Sequence, residues 1–286
     1  MPWGASLLAS LAERDCFFAL DIGTKADDLL PRMALAQDCL AQIGDEAVRA
    51  KARSLLWFSA GIWPDEDAIR ARKEQVAELE RQIARAQSDA SPFPGRLLAV
   101  GECGLDHHWN PAGADRRSAE GWDDELFKAE SEMFMMQLEL AHRLSLPVIV
   151  HSREAFEGTR ACIDEVGYHR GIIHCYSYGI DEARAFLDRG WYIALGGAVT
   201  YTKKRLMDQM RELVRFIPDD RLLLETDAPY LAPVPCRGQV NTPLLISHTY
   251  EFIADMRGVS AEALCRTVDA NCRALFPACA AADRTA

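Results

Sequence analysis

No apolar run in this chain approaches the roughly 20 residues that a bilayer-spanning helix requires, so a spanning helix is excluded. The first residues have no basic stretch ahead of their apolar run, and Ser6 and Ser10 interrupt that run before Glu13 and Arg14. A helix over Gly4–Glu13 is expected there rather than a secretion signal. Positive charge is scarce: 32 Lys and Arg stand against 43 Asp and Glu, a net charge of −11. That balance opposes non-specific adhesion to nucleic acid, which relies on cations displacing counterions from phosphates. A polynucleotide would have to be held locally, and added divalent cations would moderate the repulsion. The nine cysteines are odd in number and never form Cys-x-x-Cys. Most lie in apolar runs, as expected of buried reduced thiols in a cytoplasmic protein. Internal repeats and low-complexity tracts are lacking as well.

What is present suits a globular protein with a large core: 286 residues, 49% hydrophobic and 26% charged. Short β-rich runs alternate with amphipathic helical stretches. Strands are expected at 17–21, 55–60, 97–101, 147–150, 171–173, 191–195 and 222–225. Helices are expected at 29–43, 125–144, 180–188 and 203–215, with helical segments following at 243–256 and 260–275. Mostly apolar strands in such alternation imply a parallel sheet covered by helices. The fold class read from this pattern is α/β, a (β/α)8 barrel that lacks its first strand, since seven strands fall one short of eight. No composition shift marks a second domain, so residues 1–286 are expected to form one.

Several segments have ordinary structural readings. The charged stretch 65–90 is expected to be a solvated outer helix with Val76, Leu79 and Ile83 facing inward. His142, His169 and His248 are expected at the surface or in structural roles, and Met133, Phe134, Met135 and Met136 in packing against the sheet. The long loop 106–124 leaves the Glu102 strand on the side where substrate sites form.

Four apolar runs each end in a metal-binding side chain. They are Leu97-Leu-Ala-Val-Gly-Glu102, Val148-Ile-Val-His151, Ile172-Ile-His174 and Leu222-Leu-Leu-Glu-Thr-Asp227. Taken singly, a strand-end His is more often a hydrogen-bonded structural group, and a lone Asp a cap. Jointly, four strand ends with the right ligand types point to one hydrolytic site at the carboxyl face. Carboxylate oxygens and neutral imidazoles suit a hard or borderline divalent cation such as Mg²⁺, Mn²⁺ or Zn²⁺. Water bound to such a cation titrates near about 7 instead of about 15.7, which makes hydroxide available at neutral pH. Two metals sharing a carboxylate would hold the attacking oxygen and polarise a phosphoryl oxygen together, and Glu102 is the candidate for that bridge.

The wording around these residues, Ala99-Val-Gly-Glu-Cys-Gly-Leu-Asp106, Leu146-Pro-Val-Ile-Val-His-Ser-Arg-Glu-Ala155, Gly171-Ile-Ile-His-Cys-Tyr-Ser177 and Leu222-Leu-Leu-Glu-Thr-Asp-Ala-Pro-Tyr-Leu-Ala-Pro233, closely resembles the TatD-type deoxyribonucleases. These are metal-dependent hydrolases of the amidohydrolase superfamily on a (β/α)8 barrel. The resemblance extends to Gly61-Ile-Trp-Pro64, Arg237-Gly-Gln-Val-Asn-Thr-Pro243 and Asn271-Cys-Arg-Ala-Leu-Phe276.

The resemblance implies up to two divalent metals, bridged by Glu102, with His151 and His174 completing one and Asp227 ligating the other. It places Asp227 as the catalytic residue that takes a proton from the attacking water. Arg153 and Arg237 lie in matching stretches and are candidates for substrate phosphate, although Arg153 can equally pair with Glu154 or another acid. The activity implied is phosphoester hydrolysis on DNA, in the manner of a 3′-5′ exonuclease, with no membrane and no obligate protein partner. Two alternatives stand beside it: a related hydrolase acting on another ester or an amide, and a non-catalytic barrel that binds at most one metal.

The sequence departs from the family where its first strand should end in Asp-x-His-x-His, because no histidine precedes His107. A chain that starts inside the family's first helix is the expected explanation. Trp63 replaces a usual His, His107-His108 replaces a usual Tyr pair, and Thr242 replaces a usual Glu. Trp63 is expected to alter the rim, and His107 and His108 to occupy an exposed loop.

Overall fold

The structure, a computed structural model, describes residues 2–14, 16–108 and 123–282. Most of the 106–124 loop therefore lies outside the described residues. The chain divides into two compact units, residues 1–170 and 171–286.

The first unit opens with α1 (Pro2–Glu13), followed by β1 (Ala19–Asp21), α2 (Leu29–Ala41), α3 (Glu46–Leu55) and β2 (Leu56–Ala60). It continues through α4 (Glu66–Arg70), α5 (Arg72–Ala86), β3 (Leu97–Asp106), α6 (Asp124–Leu144), β4 (Val148–Arg153) and α7 (Phe156–Val166). Its four strands pair in chain order and all parallel: Asp21 lies opposite Phe58, Ala60 opposite Val100 and Gly104 opposite His151. Helix α5 turns Val76, Leu79 and Ile83 inward as its spacing predicts. The charged stretch is two helices rather than one, divided at Ala71, with Asp65 capping the first by accepting from Ala68 N at 3.0 Å.

Behind the sheet, Phe58 and Phe93 meet with ring centroids 5.0 Å apart, and Leu29, Met33, Met133 and Phe134 are fully buried. Two polar residues of α6 are buried with them because the chain needs them there. Gln137 accepts from Ile62 N at 2.8 Å and donates to Ile62 O at 3.1 Å, so the chain leaving β2 keeps its backbone partners out of water. Glu130, wholly buried, accepts from Asp106 N at 2.8 Å and faces His107 Nε2 at 2.9 Å. His107 is thus tied to α6 and is not the exposed loop residue expected from the sequence. His142 stacks on Tyr168 with ring centroids 4.9 Å apart, in keeping with a structural role.

The second unit runs β5 (Gly171–Ile173), α8 (Ile180–Leu187), β6 (Tyr192–Leu195), α9 (Met207–Phe216), β7 (Leu222–Leu224), α10 (Ile246–Arg257), α11 (Ala261–Leu275) and α12 (Pro277–Ala282). Its three strands are parallel, with Ile172 opposite Tyr192 and Leu195 opposite Leu224. Trp191, Phe186, Ile193, Val214 and Leu222 are buried beneath the helices. Asn271 of α11 donates to Asp219 O at 2.6 Å and Leu222 O at 2.8 Å, fastening the entry of β7. Among the described residues no strand precedes Ala19, and no helix is long and apolar enough to cross a membrane.

Candidate metal centre

In the first unit the site is built on β3 and β4, and β3 does not stop at Glu102. It continues to Asp106, so Glu102 lies within the strand and Asp106 at its end. His151 likewise lies within β4, three positions from its start, with Arg153 last. The expectation that each run ends on its ligand is corrected for these two. The reason is the pair of glycines around Glu102. A Cβ on Gly101 would lie 2.5 Å from Ile149 O, and one on Gly104 would lie 1.9 Å from His151 O. Only glycine allows β3 to bulge between Val100 and Cys103 and still rejoin β4 in register.

Gly104 also has φ +149, a conformation that disfavours any side chain. Gly104→Ala is therefore expected to destabilise the protein by roughly 3 kcal/mol or more, since the clash is with backbone that cannot rotate away. Urea denaturation checks this; a change under about 1 kcal/mol would show that β3 and β4 can separate without cost.

This packing places Glu102 Oε1 at 2.9 Å from His151 Nδ1. Glu102 N donates to Gly23 O at 2.7 Å, anchoring the residue through its main chain. The Trp63 indole meets the His151 ring edge-on at 5.9 Å, so the Trp that replaces the expected His forms a wall beside the ligand pair. On the other side of the ring, His151 Nε2 lies 3.1 Å from Asp106 Oδ2. Asp106 is buried and takes Arg153 Nε on Oδ1 at 2.9 Å and Arg153 Nη2 on Oδ2 at 2.7 Å. Burial acts to raise the Asp106 pKa, but the hydrogen bonds with His151 and Arg153 outweigh it and hold the carboxyl well below the usual carboxylate range.

In the second unit His174 directly follows β5 and is nearly buried. Its Nδ1 faces Glu225 Oε1 at 3.5 Å, and Cys175 N donates to that same oxygen at 2.6 Å. Asp227 sits past the end of β7 in the left-handed region at φ 50, half-buried, and its carbonyl accepts from Tyr230 N at 2.8 Å. Buried Asn241 holds this loop by donating from Nδ2 to Thr226 O and, at 2.6 Å, to Tyr230 O. The Arg237 guanidinium lies over the Tyr201 ring at 4.2 Å.

The structure thus joins Glu102 to His151 and places Arg153 on Asp106, while His174 faces Glu225. Two acids of the site were not singled out from the sequence, Asp106 and Glu225. Both had a signal. Residues 102, 104 and 106 share one face of an extended strand, so Asp106 follows Glu102 on that face. Glu225 is the first carboxylate of Glu-Thr-Asp, where attention fell on the third residue. His108 Nδ1 lies 2.6 Å from Glu154 Oε1, away from Glu102. Carboxylate and imidazole together are the donor chemistry of a divalent cation, so the residues present fit one.

Parallel β/α units with carboxylates and imidazoles toward the carboxyl side of their strands are the architecture of a metal-dependent hydrolase. The chain belongs to the TatD related DNase family, whose model matches residues 32–277. It is 31% identical over 272 residues to the uncharacterized metal-dependent hydrolase YcfH of Escherichia coli K12, covering 94% of this chain and 87% of that protein. It is 33% identical over 226 residues to the 3′-5′ ssDNA/RNA exonuclease TatD of Pantoea vagans, covering 77% of each. The crystal structure of YjjV, a TatD homolog from Escherichia coli K12, superposes with a TM-score of 0.73 at 25% identity, covering 96% of this chain and 91% of that one. The chain shares the (β/α)8-type fold class of these relatives.

Proposed function

We propose that residues 1–286 act as one hydrolase domain that cleaves phosphodiester bonds of single-stranded DNA from the 3′ end. Glu102, His151, His174 and Asp227 are the metal ligands in this reading, and Asp227 is also the catalytic proton acceptor. The observation that carries it is the facing pair of Glu102 and His151, held by glycine-dependent packing within a family motif. The 3′-5′ exonuclease named among the relatives supports the choice of substrate and direction.

A divalent cation bound there would supply charge for the phosphoryl oxygens and lower the pKa of water. In this reading Asp227, half-buried past the end of β7, takes the proton released as water attacks phosphorus. Arg153, its guanidinium oriented by Asp106, and Arg237, resting on Tyr201, are proposed to meet phosphate oxygens.

The test uses single-stranded oligonucleotides labelled at either end, with protein loaded with Mg²⁺, Mn²⁺ or Zn²⁺. Shortening from the 3′ end is expected, and EDTA should abolish it. Failure to degrade DNA with all three metals would sink the nuclease reading, and shortening from the 5′ end would reverse its direction. A reading as a non-catalytic metal-binding protein is separated by the same assay, since it predicts metal uptake without cleavage.

A further inference from the structure

Two loops leave the carboxyl ends of β6 and β7, residues 196–206 and 225–242, and they are bound to each other. Val234 N donates to Thr200 Oγ1 at 2.9 Å, Tyr201 Oη donates to Ala232 O at 2.6 Å, and the Arg237 guanidinium covers the Tyr201 ring. The approach is so close that a Cβ on Gly197 would lie 2.2 Å from Leu231 O. The loops therefore form one surface. It lies beside Asp227, whose carbonyl accepts from Tyr230 N at 2.8 Å.

The composition of that surface is unlike the chain as a whole. Residues 201–206 and 228–240 contain Lys203, Lys204, Arg205 and Arg237 and no acid, although the net charge of the chain is −11. Lys203, Lys204 and Arg205 are exposed, and among the described residues none of the three has an ion-pair partner. Tyr230 is 68% exposed while its backbone is clamped. Buried Asn241 donates from Nδ2 to Tyr230 O at 2.6 Å and from N to Pro229 O at 3.0 Å. The fold thus holds an aromatic ring out in water, where only a partner with a flat apolar face can cover it.

We propose that these two loops form a platform for single-stranded DNA, with Tyr230 stacking on an unpaired base and Lys203, Lys204 and Arg205 meeting backbone phosphates away from the scissile one. This rests on the nuclease reading above for the identity of the polymer, and adds where the strand runs once it leaves the point of cleavage. Charge complementarity selects a polyanion, because unpaired cations on an acidic protein attract phosphates and displace their counterions. The exposed ring selects an unpaired strand, because a base inside a duplex has its faces covered by its neighbours. Continuity with Asp227 selects the substrate strand: Tyr230 stands in the same hydrogen-bonded turn as the proposed proton acceptor.

The test is fluorescence anisotropy of a labelled single-stranded oligonucleotide with protein in EDTA, where neither metal nor cleavage enters. Tyr230→Ala is expected to weaken binding roughly 5- to 150-fold, the range for loss of one base–aromatic stack. Tyr230→Phe keeps the ring and should bind as the unsubstituted protein does, whereas Tyr230→Leu, apolar but without a π-face, should not. Replacing Lys203, Lys204 and Arg205 together by Gln is expected to flatten the slope of log affinity against log salt by about 2, at about 0.7 per phosphate contact on a single strand. The proposal is overturned if the single strand is not bound, if Tyr230→Leu binds as well as Tyr230→Phe, if the salt slope is unchanged, or if a duplex competes equally. Binding of phosphatidylserine vesicles in place of the oligonucleotide overturns it as well. Should Tyr230→Ala not fold, the comparison of Phe with Leu and the salt slope decide. The two readings fail separately. Binding that depends on Tyr230, with no cleavage once metal is restored, sinks the nuclease reading and upholds the platform; cleavage with binding indifferent to Tyr230 sinks the platform alone.

Discussion

Replacing Glu102 by alanine is expected to abolish both cleavage and tight metal uptake while leaving the fold standing. The two effects separate because Glu102 is held by its main chain. The hydrogen bond from Glu102 N to Gly23 O involves no side-chain atom and survives the substitution. Alanine introduces no clash, and the glycines on either side still satisfy the packing against Ile149 and His151. What disappears is the carboxylate that faces His151 Nδ1 and, in the proposed function, offers a cation its negative charge. A bound divalent cation contributes several kcal/mol to phosphoryl transfer, and each 1.36 kcal/mol is a factor of ten. A loss of about 10³-fold or more in turnover is expected, with a melting temperature within a few degrees of the unsubstituted protein. Cleavage within about tenfold of normal would remove Glu102 from the centre.

Asp227→Asn is expected to give the opposite division: metal retained and turnover lost. Asp227 occupies the left-handed region at φ 50, which asparagine tolerates nearly as well as any residue but glycine. The loop is moreover fixed by Asn241, whose bonds go to main-chain carbonyls and not to the Asp227 side chain. The substitution therefore removes the carboxylate's charge and basicity without a backbone penalty. General-base contributions of this kind run to about 10²–10⁴-fold, and that loss is expected in single-turnover cleavage. Zinc uptake, which the proposed function assigns to other side chains as well, should change only a few-fold. A variant that cleaves at a normal rate would show that another group takes the proton, and Glu225 beside His174 would be the first to examine.

The sequence was most informative where a side chain's role follows from its neighbours along the chain. The strand at Gly171–Ile173 has the bounds its apolar run predicts, and the inward face of α5 follows from the spacing of Val76, Leu79 and Ile83. Three helices escaped notice, one of them the short α12 that follows Phe276. The run in α3 is short and basic, buries only Ala52 and Leu55, and is started by an Asp45 cap that accepts from Val48 N. Helix α7 directly follows the motif strand, and its few buried residues, Thr159, Cys162 and Ile163, give a weak apolar stripe. The far end of β3 was also missed, because Gly and Glu interrupt an apolar run and read as its end. That interruption is what the bulge against β4 requires.

The pairing of acids with bases followed a different logic. Nothing along the chain says that Arg153 meets Asp106, that His107 meets Glu130, or that His174 faces Glu225. Each pair joins residues far apart in sequence, and several acids of equal chemistry were available to each base. The sequence by itself determined the alternation of parallel strands with helices, the residue types carried toward the carboxyl side of those strands, and the family, because those depend on local periodicity and motif wording. Only the tertiary structure decided which carboxylate stands at which nitrogen of His151. That choice is set by how closely the glycine-bearing β3 can approach β4, a distance that no local pattern encodes.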